Sequence, residues 1–164
     1  MARVVVVSDA TPLIALSSVG QLQLLEKLFG RVLVPLAVWQ EVVLEGGPGA
    51  PGAREVAQAS WLERTQAPAL EPSLAKLGRG EAEAIALART LPDALLLVDD
   101  APARRRARAL GVPLMGTLGV LRRAKVAGHL AFLRPVLEHL GEQGFRVHPD
   151  LIDGLLRDVG ELTD

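Results

Sequence analysis

Two stretches decide the fold of this 164-residue chain: Val4-Val5-Val6-Val7-Ser8-Asp9 and Leu95-Leu96-Leu97-Val98-Asp99-Asp100. Each is an unbroken apolar run that ends in a carboxylate, without the alternation of a half-exposed strand. Unbroken runs of this kind are typical of strands buried on both faces of a parallel sheet. We therefore expect fully buried strands near 3–7 and 95–98, with Asp9 and Asp99 just beyond their carboxyl ends.

Helical patterns separate these runs from further strand-like segments. We expect short strands near 32–34 and 112–115, a possible edge strand at 61–65, and helices near 11–29, 35–44, 53–59, 80–91, 102–110, 116–125 and 129–158. Alternating strands and helices predict an α/β, three-layer fold with a mainly parallel sheet flanked by helices. The length suggests a single domain over 1–164, with about 129–164 as a C-terminal helical extension.

Composition excludes several classes of function. The chain has no cysteine, which excludes disulfides, thiolate zinc sites and a cysteine nucleophile. Its apolar stretches are too short to span a membrane, and its start lacks the features of a signal peptide, so we expect a cytoplasmic protein. The net charge of −1 gives no overall attraction to nucleic acid, so any such affinity must come from local basic patches.

Four acidic residues are placed where this fold would bring them together: Asp9, Glu41, Glu81 and Asp99. Ligands of open parallel sheets bind at the carboxyl ends of the strands, near the point where strand order reverses. Two carboxylates at strand ends and two on neighbouring helices can form a site for a hard cation such as Mg²⁺. Taken singly, however, Asp9 also fits a capping residue and Glu41 a solvated helix face.

Glu81 shares a helix face with the apolar residues Ala84, Ile85 and Ala88. This spacing predicts that Glu81 projects from the sheet-facing side, whereas Glu83 is expected in solvent. The alternative is that Glu81 is a first-turn carboxylate favoured by the helix dipole.

Hydroxyl and carboxyl groups flank the proposed cleft. One of Asp99 and Asp100 is expected to cap the following helix while the other faces the cleft; we favour Asp99 as the metal ligand and Asp100 as the supporting residue, with the reverse assignment open. Thr11, before Pro12, is expected to cap the first helix. Thr117 is either a cap or a hydroxyl over the active site.

Basic residues occur on two of the expected helices. Arg104 and Arg108 share one helix face, and Lys125 belongs to a second basic cluster. Both clusters fit either a solvated, salt-bridged surface or a phosphate-binding rim beside the acids.

Five short motifs in this order resemble the PIN-domain superfamily, and more narrowly the VapC-like prokaryotic PIN proteins. They are Ser8-Asp9-Ala10-Thr11-Pro12-Leu13, Pro35-Leu36-Ala37-Val38-Trp39-Gln40-Glu41-Val42, Gly80-Glu81-Ala82-Glu83-Ala84-Ile85, Asp99-Asp100 with Arg104, and Gly116-Thr117-Leu118-Gly119-Val120-Leu121 with Lys125.

The resemblance implies a PIN fold and a ribonuclease that cleaves single-stranded RNA with Mg²⁺ or Mn²⁺. Matched position by position, the metal-binding and catalytic acids are Asp9, Glu41, Glu81 and Asp99. Glu81 stands where many PIN proteins have aspartate, which suggests that it binds metal through water. Asp100 stands where this group often has glutamate, which supports a secondary role. VapC-like proteins also suggest a toxin with a small antitoxin partner, and a homodimer.

Two other functions are compatible with parts of this pattern. A haloacid-dehalogenase-type phosphatase needs a second aspartate two residues after the first, where this chain has Thr11. A non-catalytic nucleic-acid- or protein-binding regulator on a PIN fold stays open as the alternative. Self-association is expected because residues 129–159 carry two apolar helical faces, one more than the domain's own core needs.

Overall fold

The computed structural model describes residues 4–163, which contain a five-stranded parallel sheet. The strands are β1 (Val6–Ser8), β2 (Val32–Pro35), β3 (Leu62–Thr65), β4 (Leu95–Leu97) and β5 (Leu114–Met115). They lie in the order β3-β2-β1-β4-β5, so β1 is central and pairs with β2 on one side and β4 on the other. Strand order therefore reverses between β1 and β4.

Helices connect the strands and cover the sheet. They are α1 (Ala10–Ser18), α2 (Leu24–Phe29), α3 (Leu36–Trp39), α4 (Ala53–Gln58), α5 (Arg79–Arg89), α6 (Ala101–Ala109), α7 (Thr117–Val126), α8 (Arg134–Glu142) and α9 (Pro149–Asp158). A π-helical segment, Gln40–Glu45, continues α3, and a 3-10 turn spans Pro72–Leu74.

Two apolar cores lie on opposite faces of the sheet. Val6 and Leu97 pack into one core with residues of α1, α2, α7 and α8. Val7 and Leu96 face the other way and pack against α5 and α6. Successive side chains of a strand point to opposite faces, so both faces of the central strands are covered, and the expected three-layer α/β fold is confirmed.

The first strand differs from the expectation. The described strand begins at Val6, and the preceding Val4 and Val5 are 49% and 37% exposed rather than buried. An apolar run does not itself indicate where helices begin to cover the sheet. Residues 1–3 and 164, which include the expected strand start, lie outside the described residues.

The expectation that Thr11 caps the first helix is wrong. Helix α1 begins at Ala10, and Asp9 occupies the N-cap position. Pro12 is accommodated within the first turn, where the helix has no backbone acceptor for an N–H.

The C-terminal segment packs back onto the domain. Leu133, Val136, Leu137 and Leu140 are buried in the core formed with α1, α2 and α7, and Leu156 of α9 joins them. Leu151 is exposed at the start of α9. Among residues 4–163, no helix is both long and apolar enough to cross a membrane.

Candidate active site

Asp9 and Asp99 lie at the same edge of the sheet, beyond the ends of two neighbouring parallel strands. The backbone N–H of Asp9 donates to the carbonyl of Leu97, 2.9 Å away, and Asp99 follows only two residues later. The pair thus occupies the point where strand order reverses, which is the usual ligand site of open α/β sheets.

Glu41 approaches Asp9 across Gly80. It belongs to the π-helical continuation of α3, and π-helical turns often occur at functional sites because they redirect side chains. A side chain at Gly80 would lie 3.4 Å from Glu41 Oε1 and 3.6 Å from Asp9 Oδ1. The two carboxylates therefore converge on the backbone at the start of α5, where glycine leaves them room.

The acids act on one another electrostatically. Asp9 is only 3% exposed, and burial raises its pKa to about 7; the Ala10 N–H opposes this rise, while Glu81, Glu41 and Asp99 add to it. Partial burial also raises the pKa of Glu41, with further increases from Glu45 and Glu81. The four acids thus share one region of negative potential.

Hydrogen bonds orient the other two acids. Asp99 Oδ1 accepts from the Thr117 N–H at 2.8 Å, and Asp99 Oδ2 accepts from the Thr117 hydroxyl at 2.5 Å. Gly116 is the N-cap of α7, so Thr117 acts through its contact with Asp99 and not as a cap. Glu81 Oε2 accepts from the Gly78 N–H at 2.9 Å, as expected of a first-turn carboxylate.

The acids of the site are not gathered into one compact group of ligands. Within the described residues 4–163, no three histidine, aspartate or glutamate side chains are close enough together to form a ready-made metal centre. The donor chemistry nevertheless fits a divalent cation, because the site offers carboxylate oxygens and the buried charge of Asp9 needs compensation. Mg²⁺ commonly keeps several waters, which can bridge to carboxylates that do not meet.

The neighbouring residues Asp100 and Arg104 have separate places. Asp100 caps α6, because its Oδ2 accepts from the Ala103 N–H at 3.0 Å. Arg104 is partly buried, and its Nη1 donates to the Val98 carbonyl at 3.4 Å. Both Arg104 Nη1 and Asp99 Oδ1 come within 3 Å of the position that a side chain at Gly116 would occupy. A cationic group therefore stands beside the acids.

The other two cations expected at a phosphate-binding rim lie farther away. Arg108 is exposed, one turn beyond Arg104 on α6. Lys125 lies about two turns along α7 from Thr117, where its Nζ donates to the Ala131 carbonyl at 2.5 Å and lies 3.5 Å from Glu161 Oε2. Lys125 thus connects α7 to the C-terminal segment.

The expectation that Glu83 is solvated is wrong. Glu83 is 8% exposed, and its Oε1 accepts from the Ala37 N–H at 3.0 Å while its Oε2 pairs with Arg79 Nε at 3.1 Å. Glu83 is buried because α3 packs on α5. Helix α5 is therefore covered by α3 as well as by the sheet. The spacing of four residues between Arg79 and Glu83 could have predicted their ion pair from the sequence. The contact with Ala37 could not have been predicted in this way, because it joins residues 46 positions apart.

Comparison with protein-family models gives a match over most of the chain. A family model described as a PIN domain matches residues 5–161. No curated protein and no solved structure matches the chain.

Proposed function

We propose a metal-dependent ribonuclease activity for this chain, which belongs to the PIN-domain family, a family whose members are generally nucleases. The substrate in this proposal is single-stranded RNA, the bond hydrolysed is a phosphodiester, and the cofactor is Mg²⁺ or Mn²⁺. A role as the toxin of a toxin–antitoxin pair in the cytoplasm is part of the same proposal, with a small antitoxin protein as a further partner.

One observation supports the proposal most strongly: a nearly inaccessible aspartate, Asp9, surrounded by three other acids. An ionised carboxylate in such a place is unfavourable, and its raised pKa is the consequence. Helix capping does not account for an acid there, since Asp9 occupies the α1 N-cap position without a side-chain capping bond. A bound cation would supply the missing positive charge and keep Asp9 ionised.

Each acid then has a distinct part in holding the cation. Asp9 and Glu41, which both lie next to Gly80, and Asp99, which is held by Thr117, would bind the cation through their carboxylates, and Glu81 would bind it by way of water. When bound, a divalent cation lowers the pKa of a water molecule and stabilises negative charge on the attacked phosphate.

Other residues would position the substrate and the acids. Arg104 stands beside Asp99 and offers a planar guanidinium, which suits a phosphate oxygen pair; Arg108 would extend this contact along α6. Asp100 and Thr11 support the site from the first turns of α6 and α1. Lys125 would contact phosphates farther along the RNA, because its ammonium lies near the Ala131 carbonyl and Glu161.

A second candidate is a non-catalytic binding protein on the same fold. It is favoured by the engagement of Asp99 and Glu81 in hydrogen bonds and by the lack of a ready-made three-residue metal centre in the described part of the chain. Binding of RNA without cleavage at any Mg²⁺ or Mn²⁺ concentration would identify it.

The experiment that tests the proposed function is cleavage of a labelled single-stranded RNA by the purified protein. We expect cleavage with Mg²⁺ or Mn²⁺, its loss in EDTA, and its recovery when the metal is restored. Cleavage that persists in EDTA would contradict the proposal.

A further inference from the structure

A cavity of about 440 Å³ lies between α3, the 66–70 segment that follows β3, and the start of α5. Its walls include Leu36, Gln40, Gln66, Leu70, Arg79 and Glu83. Gln40 directly precedes Glu41, and Arg79 and Glu83 flank Gly80 and Glu81 on α5. The cavity is therefore built on the same helical segments as Glu41 and Glu81.

Glu83 gives this cavity a buried anionic wall. Each of its carboxylate oxygens accepts one hydrogen bond from the protein, Oε1 from Ala37 and Oε2 from Arg79. A carboxylate offers about four acceptor positions in all. One position on each oxygen is thus left for a ligand that presents two neighbouring N–H donors.

The remaining walls suit a flat ring with a polar edge. Leu36 and Leu70 are both 41% exposed and line the cavity, so they offer apolar surface to the face of a ring. The amides of Gln40 and Gln66 can each donate and accept. The Arg79 side chain is 80% exposed and uses Nε for Glu83, which leaves its terminal nitrogens for a phosphate.

We propose that this cavity binds an unpaired nucleobase of the RNA substrate, with guanine the preferred base; this inference rests on the proposed ribonuclease function. Guanine presents N1–H and N2–H side by side to Glu83, and its O6 can accept from a glutamine amide. The other bases place an acceptor next to the donor on that edge, and a carboxylate repels it. Unpaired bases with accessible edges are what proteins read in RNA.

The position of the cavity relates the base to the reaction. Glu83 lies about one helical turn, or roughly 5 Å along the axis, from Gly80, on which Asp9 and Glu41 converge. A base held here would belong to a nucleotide next to the phosphate at the acids. The cavity would therefore determine which base stands beside the cleaved bond.

Calorimetric titration of the wild-type protein with the 5′-monophosphates of guanosine, adenosine, cytidine and uridine tests this inference without requiring turnover. We expect guanosine monophosphate to bind about tenfold more tightly than the other three nucleotides, because one good two-donor contact gives a difference in affinity of about this size. The variants Gln66→Ala and Glu83→Gln should remove the preference. Gln66 is exposed and its replacement should not disturb folding. In Glu83→Gln the side-chain amide oxygen can still accept from the Ala37 N–H, which preserves the contact between α3 and α5.

Gln58→Ala, in an exposed glutamine at the end of α4 and outside the cavity, is the matched control and should keep the preference. Equal affinities for the four nucleotides, or a preference unchanged in both cavity variants, would overturn the inference. Metal-dependent RNA cleavage by the same preparation would then leave the ribonuclease function intact. A guanine preference in a protein that cleaves no RNA would support the cavity and contradict the ribonuclease function alone.

Discussion

Thr117 binds both oxygens of Asp99, one through its backbone N–H at 2.8 Å and the other through its hydroxyl at 2.5 Å. The two bonds connect the first turn of α7 to the end of β4. They hold the carboxylate in one orientation, with its free acceptor positions available to a cation or its waters. In this account Thr117 is a positioning residue that acts through Asp99.

Replacing Thr117 by valine should remove the hydroxyl bond and keep the shape of the side chain. We expect RNA cleavage to fall about tenfold, with a loss of roughly 1 kcal/mol in the free energy of unfolding. Thr117→Ser retains the hydroxyl and should restore most of the activity. Single-turnover cleavage and urea denaturation measure the two effects, and full activity in the valine variant would show that the hydroxyl bond is not needed.

The raised pKa of Asp9, about 7 in the folded protein against an ordinary 3.8, predicts an unusual pH dependence of stability in EDTA. Well below pH 4 the Asp9 carboxyl is protonated in both states, and the folded state is most favoured. Between about pH 4 and pH 7 the unfolded chain ionises while the folded protein stays protonated. Stability should therefore fall as pH rises through this range, by roughly 4 kcal/mol from Asp9, and level off above pH 7.

Asp9→Asn removes this contribution, so the metal-free variant should be more stable than the wild type at pH 8 and nearly equal to it at pH 4. Chemical denaturation at several pH values measures the free energy of unfolding of both proteins. The other titrating groups contribute equally to both, so they cancel in the difference between the two. Identical pH profiles for the two proteins would contradict a buried, destabilising carboxylate at position 9.

Arg104 should contribute one phosphate contact. Arg104→Ala is expected to weaken single-stranded RNA binding to a similar extent for all sequences, and to lower the slope of log affinity against log salt by about 0.7. Arg105→Ala, in an exposed residue of the same helix, is the matched control and should change the slope less. Fluorescence anisotropy at several salt concentrations measures both, and equal slopes for the two variants would exclude a specific role of Arg104.

Self-association remains a prediction. The apolar face of α8 is buried in the domain itself, yet Val126, Phe132 and Leu151 are 67%, 65% and 52% exposed. We expect a two-fold dimer in solution, weakened by Leu151→Glu. Light scattering that gives a monomer mass throughout the micromolar range would contradict this expectation.

The sequence predicted the parts of the site that depend on strands. The apolar runs before Asp9 and Asp99 placed both acids beyond strand ends, and alternation with helices made those strands parallel. Parallel strands end at the same edge, so both carboxylates were expected at one edge of the sheet. The pairing of β1 with β4, which makes them neighbours, is not contained in the local pattern.

Contacts between distant segments were not predictable in this way. Helical periodicity placed Glu83 in solvent because it describes a single helix, whereas the residue that buries Glu83 belongs to α3, far away in the chain. The convergence of Glu41 and Asp9 on Gly80 likewise depends on how α3, its π-helical continuation and α5 pack together. Local patterns carry no information on such packing.

RNA cleavage by the Asp9→Asn variant shows whether Asp9 belongs to a metal-dependent centre that hydrolyses RNA. The matched control is Asp93→Asn, in an exposed aspartate with a φ of 55° that asparagine also adopts. The wild type and both variants are purified identically and assayed on one single-stranded RNA in Mg²⁺ or Mn²⁺. We expect cleavage by the wild type and by Asp93→Asn, no cleavage by a folded Asp9→Asn, and no cleavage by any of the three in EDTA. Undiminished cleavage by Asp9→Asn would contradict that role of Asp9.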